Sequence, residues 1–159
     1  MRVRAMMLTG LSFAGVATVA AFAQVNRSER ADVAFLGVPV TGQEIAQGNE
    51  LYAKNCASCH GPDLEGQPDW KRTLENGRMP APPHDETGHT WHHSDSQLFT
   101  LTKLGVSGVV PGYESDMPAF DGVLTDAEIR ATLAYIKSTW PKRQYEYQAE
   151  VSDREGPEE

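Results

Sequence analysis

Cysteine is nearly missing from this chain: of 159 residues only Cys56 and Cys59 carry a thiol, which excludes a disulfide-built scaffold and any zinc site made of four sulfurs. Basic residues are also scarce, 14 Lys and Arg against 22 Asp and Glu, a formal net charge of -8. Nucleic acid and anionic membrane both select basic faces, so neither is expected as a partner; docking to a basic protein surface stays open. Past residue 23 there is no apolar run long enough to cross a bilayer, since Val33 to Val40 is far too short and is broken by Gly37 and Pro39. The length excludes a large multi-domain enzyme and leaves room for one modest domain plus tails. No acid, base and nucleophile recur in an arrangement that suggests a substrate pocket.

What the chain does have is placed with economy. Cys56-Ala57-Ser58-Cys59-His60 is a C-x-x-C-H sequence, the attachment signature of c-type haem. Two thiols one helical turn apart can each add across a vinyl group of the macrocycle, and the next residue then lies where an imidazole nitrogen can bind the iron. Cys56 and Cys59 are the expected attachment points and His60 the expected iron ligand. Two other chemistries use the same residues. A zinc site would have to borrow histidines from residues 84 to 93. A redox dithiol wants a strand-to-helix junction, and no strand pattern precedes Cys56.

The N-terminus is basic at Arg2 and Arg4, apolar from Ala5 to about Ala20, and closes with Ala21-Phe22-Ala23. This reads as a signal peptide over residues 1–23, cleaved after Ala23, with an uncleaved membrane anchor as the competing reading. Cleavage takes away Arg2 and Arg4, so the charge of -8 becomes -10. Residues 24–40 read as a linker, an extended arm on the surface. A domain over 41–143 follows. Thr41 and Glu44 have capping-box spacing ahead of Ile45, Gly48, Leu51 and Tyr52, predicting a helix from Gly42 to Cys56. Gly48 inside that helix implies close approach of another helix.

Residues 61–68 form a loop whose carbonyls are natural acceptors for the second nitrogen of His60, with Gln67 or Pro68 the expected acceptor. A short helix is expected from Trp70 to about Leu74. The loop from Pro80 to His93 holds four of the five histidines, His84, His89, His92 and His93. It suits packing beside a haem edge, with Trp91 and a histidine against the ring or a propionate, or else a copper site. Ser94 and Asp95 cap a second helix that stops at Gly105. Met117-Pro118, after a glycine-rich approach, supplies the expected sixth ligand, with Met79-Pro80 a local imitation nearer His60. Thr125 or Asp126 starts a last helix that runs to Pro141. Residues 144–159 read as an acidic disordered tail.

In this order the motifs resemble the class I c-type cytochromes: Gly48-x-x-Leu51-Tyr52, Cys56 to His60, Met117-Pro118-x-Phe120, and Leu133-Ala134-Tyr135-Ile136 in the terminal helix. The resemblance covers about Gly42 to Trp140. It implies an all-α fold of three to five short helices around one covalently attached haem c, with first and last helices crossing near Gly48 and Tyr135. It also implies His60 and Met117 as the axial iron ligands, and a role carrying single electrons between redox protein partners in the periplasm, free or as a subunit of a larger oxidoreductase, not as an enzyme. Iron bound by six ligands leaves no open site for a substrate. Thr132 departs from the family, which usually has an aliphatic residue at the crossing, and the histidine-rich loop is outside the minimal pattern. That loop carries the alternative function, a copper-binding or redox-sensing haem protein; a peroxidase would require that Met117 not bind.

Overall fold

A computed structural model of the protein describes residues 33–155. The expected signal peptide, the first part of the linker and the last four residues lie outside the described residues.

Two capping boxes set the frame. Helix α1, Gly42–Asn55, starts at Thr41, whose hydroxyl accepts from the Glu44 N–H at 3.2 Å while the Glu44 carboxylate accepts from the Thr41 N–H at 2.8 Å. One short turn, α2, Ala57–His60, continues it past a break at Cys56. Ser94 accepts from the Gln97 N–H at 3.1 Å and starts α3, Asp95–Leu104. Gly105, at φ 71°, ends α3 in a conformation that favours glycine, and α4, Val106–Val109, follows. Thr125 and Glu128 repeat the capping box at the head of α5, Asp126–Ser138. The three longer expected helices, from Gly42, from Ser94 and from Thr125, are present, with ends shifted by one to three residues.

The core is built where α1 crosses α5. A Cβ on Gly48 would stand 2.0 Å from the carbonyl oxygen of Ala131 and 2.9 Å from Tyr135 Cβ, so only glycine allows the two backbones this approach. Tyr52 of α1 and Ile129, Leu133, Ala134 and Ile136 of α5 are buried around the crossing, together with Phe35, Leu64, Leu98, Phe120 and Trp140. Thr132 is also buried, and its hydroxyl donates to Glu128 O at 2.8 Å inside its own helix, which satisfies the one polar atom that an aliphatic residue would lack.

Three expectations are corrected. The arm is not a surface strand: Ala34–Phe35 (β1) pairs antiparallel with Val38–Pro39 (β2) across a turn at Leu36 and Gly37, and Phe35 is wholly buried. One aromatic ring pulls in a segment that Gly37 and Pro39 make look like a linker. Residues 144–155 are not disordered. Lys142–Glu155 forms helix α6, on which Gln148 has no exposed surface. The face by which α6 docks is polar and aromatic, so a low apolar content does not keep it unfolded. Thirdly, the segment after Trp70 holds turns rather than a helix, closed by the Arg72 N–H on Asp69 O at 2.7 Å. Among the described residues the fold is therefore six helices, a 3-10 turn at Thr90–His92 and one small hairpin.

A buried ion pair joins these additions. Lys137 Nζ reaches Asp95 Oδ1 at 2.9 Å, and both residues are almost inaccessible. Asp95 also accepts from the Leu36 N–H of the hairpin at 2.8 Å and from Gln148 Nε2 of α6 at 2.7 Å, and its own N–H donates to Ser152 at 3.0 Å. The carboxylate thus has its charge and its lone pairs answered, as a buried ion requires.

Candidate haem site

Cys56 stands at the joint between α1 and α2. Its N–H donates to Tyr52 O at 2.9 Å, and its carbonyl accepts from the Cys59 N–H at 3.1 Å and the His60 N–H at 2.9 Å. That single turn puts the two thiols one helical turn apart with His60 just beyond. Both cysteines are free, Cys56 half-buried and Cys59 exposed. Burial, and then the nearby Cys59, push the Cys56 thiol up to about 11. A dithiol redox centre needs a nucleophilic thiol with the opposite shift, which argues against disulfide exchange at Cys56.

His60 is buried, and its Nδ1 lies 2.8 Å from Pro82 O. A carbonyl can only accept, so Nδ1 carries the proton and Nε2 keeps its lone pair, the tautomer that binds a metal through Nε2. The expected acceptor, Gln67 or Pro68, is corrected to Pro82. The near loop turns back on itself through the Gly66 N–H on His60 O at 2.7 Å. Gln67 serves indirectly: its N–H donates to Ala81 O at 2.9 Å and its Oε1 accepts from the Ala81 N–H at 2.8 Å, holding the segment that carries Pro82 beside the imidazole. Tyr52 secures the other flank, its hydroxyl donating to Gly61 O at 2.8 Å.

Of the two methionines, Met117 is half-buried against the core cluster, whereas Met79 is exposed and its sulfur accepts from the Thr73 hydroxyl at 3.4 Å. The Met117 loop is fixed from behind by α3, whose last carbonyls, Thr102 O and Lys103 O, accept from the Phe120 N–H at 3.2 and 3.0 Å. Arg78 ties the two methionine loops together through Asp116 and through Glu114 at 3.7 Å.

The histidine-rich loop brings His89 and His93 edge to face at 5.5 Å but spreads its other imidazoles over separate partners. His84 stacks on His60, His89 lies flat against Trp70, and His92 stacks on Trp91. His93 Nδ1 is 3.2 Å from Gln97 Oε1. Among the described residues no three His, Cys, Asp or Glu side chains stand together where they could hold a metal ion. Burial holds His84 well below the usual histidine range, with His60 and His89 adding to it; burial also lowers His89, chiefly with His93 beside it. His89 Nδ1 and Trp91 Nε1 are buried without a partner among the described residues. Unpaired buried polar groups are costly, and a bound group bearing carboxylates is the kind that satisfies them. Two thiols on one turn, a histidine in the ligating tautomer, a half-buried thioether and unpaired polar atoms together fit a covalently bound haem.

Comparison with known proteins agrees. The family model for cytochrome c matches residues 45–140, more than half of the chain. A cbb3-type cytochrome c oxidase subunit CcoP of Rhodobacter capsulatus is 30% identical over 103 residues, covering 64% of this chain and 31% of that protein. A cbb3-type cytochrome c oxidase subunit FixP of Bradyrhizobium diazoefficiens is 27% identical over 103 residues, covering 64% of this chain and 30% of its own length. The chain therefore spans about a third of the length of the curated relatives it matches. No solved structure gives a significant match. With the family model matched from within α1 to Trp140, across the C-x-x-C-H turn and the α1–α5 crossing, the chain belongs to the cytochrome c family of electron carriers that bind haem c covalently.

Proposed function

We propose that this protein is exported to the periplasm by a cleaved signal over residues 1–23, carries one haem c attached through Cys56 and Cys59, and passes single electrons between redox protein partners. His60 and Met117 are the axial ligands in this reading. The observation that carries it is the Nδ1 hydrogen bond of His60 to Pro82 O, which leaves Nε2 as the ligating atom. The half-buried position of Met117 against the core favours it over exposed Met79. When bound, haem c supplies a one-electron couple. The chain's own contribution is to fix the imidazole, to wall the cofactor with the core around Tyr52 and Phe120, and to expose Cys59 at the surface, where a partner can approach. The relatives named above are oxidase subunits, so a terminal oxidase is the proposed class of electron acceptor. Small, weakly held interfaces suit such encounters.

The test is the ferric and ferrous absorption of the matured protein beside Met117→Ala, with the mass of the mature chain. The expected result is a chain beginning at Gln24 with the added mass of one haem, and a low-spin spectrum whose long-wavelength sulfur-to-iron band disappears in Met117→Ala. A band that persists transfers the ligand role to Met79. A high-spin wild type overturns the carrier reading in favour of an open, reactive iron.

A further inference from the structure

His60 has a single hydrogen bond to hold its ring, at Nδ1. One bond fixes the position of an atom but leaves the plane of the ring free to swing about it. The face of the ring is covered by a second imidazole: His84 stacks on His60 with centroids 4.0 Å apart and planes 23° from parallel. His84 is itself firmly placed. Its N–H donates to Leu64 O at 2.7 Å, and its carbonyl accepts from Trp140 Nε1 at 2.7 Å. The edge of Tyr52 meets its ring at 6.3 Å and 74°. Its Nδ1 is 2.7 Å from the hydroxyl of Thr90, a buried residue. The Thr90 hydroxyl also lies 3.4 Å from Pro83 O, so it bridges the His84 ring to the backbone of the same loop. The His84 ring is thus held at Nδ1 by Thr90 and on its flank by the edge of Tyr52, on a backbone anchored at both ends.

We infer that His84 is a positioning residue: its flat face, fixed by Thr90, sets the plane of the His60 imidazole. This rests on the reading of His60 as the iron ligand. An aliphatic side chain at 84 would fill the same space and still let the ring turn, since it offers no plane to match. The plane of an axial imidazole selects which iron orbital it overlaps, and so shapes how unpaired spin spreads over the four quadrants of a ferric low-spin haem. The role of His84 is therefore readable without any assay of electron transfer.

The experiment uses the matured ferric protein and records the hyperfine-shifted proton spectrum of wild type, His84→Leu, Thr90→Val and His84→Phe. Loss of the stack in His84→Leu is expected to change the order of the four haem-methyl resonances. Thr90→Val, nearly the same volume, frees the His84 ring and is expected to shift them in the same direction by less. His84→Phe restores a flat face and is expected to restore the wild-type order, which a mere loss of packing would not allow. Wild-type order in His84→Leu with low-spin covalent haem overturns the inference; should that variant not mature, haem-methyl resonances left unshifted in Thr90→Val do so. If the His60 ring protons are absent from the hyperfine-shifted set of the wild type, the ligand assignment itself fails, and the inference with it, for a reason the variants do not share.

Discussion

Gly48→Ala adds one methyl group and tests the crossing on which the site is built. The new Cβ would lie 2.0 Å from Ala131 O, 2.6 Å from the carbonyl carbon and 2.9 Å from Tyr135 Cβ. Two of these atoms are backbone in the middle of α5 and cannot rotate away, so the helices must part by about 1.5 Å to reach ordinary van der Waals contact. Alanine in a helix interior is favoured over glycine by about 1 kcal/mol, while overpacking costs about 1–3 kcal/mol. A clash with rigid backbone belongs at the top of that range, which leaves a net loss of about 2 kcal/mol. With a urea slope of about 1–3 kcal/mol/M, the unfolding midpoint falls by about 1 M. The assay is urea unfolding of matured wild type and variant, with Gly42→Ala as control, since a Cβ there meets nothing within 4 Å. Gly48→Ala as stable as wild type would refute the argument, because propensity would then outweigh a contact that allows no escape.

Burial keeps His84 and His89 below the usual histidine range, so the unfolded chain takes up protons first as pH falls. Stability of the apoprotein should decline below about pH 6.5, by up to about 1.4 kcal/mol per pH unit for each group. The Thr41 and Thr125 backbone N–H groups hold Glu44 and Glu128 below the ordinary carboxylate range, so those groups act only at lower pH, and a flat stability between pH 6.5 and 5 would exclude the histidine contribution. Lys137→Met leaves the Asp95 carboxylate buried without its cation. The expected cost is about 3–5 kcal/mol, with hydrogen-exchange protection lost first in α6 and the β1–β2 hairpin; uniform loss across α1 and α5 would contradict that order.

The parts of the fold legible in the sequence are those written in local chemistry. Thr41 with Glu44 and Ser94 before Asp95 announced helix starts, and Gly48 announced a close crossing, because capping and steric exclusion act within a few residues. The cysteines and His60 were legible for the same reason. What was not legible depends on pairings far apart in the chain. Pro82 is 22 residues from His60, and nothing near the loop signals that Gln67 grips Ala81 and brings Pro82 into reach. In the sequence His84 is one histidine among four, and its stacking on His60 follows from where the 80–84 segment runs, not from its composition. Helix α6, where the sequence reads as a disordered tail, is not legible because its contacts, Gln148 with Asp95 and Tyr147 with Trp91, are polar and aromatic, and so are invisible to a count of apolar residues.

The Asp95–Lys137 pair gives the domain a boundary different from the one its family match draws. Phe35, which covers the pair from one side, and Gln148, which caps it from another, both lie beyond residues 45–140. Excising the matched stretch would keep both charges and strip their cover, admitting water to a site that is now dry. The family boundary therefore passes through the middle of one packed structure, in which the matched stretch and its two flanking additions share a buried ion pair.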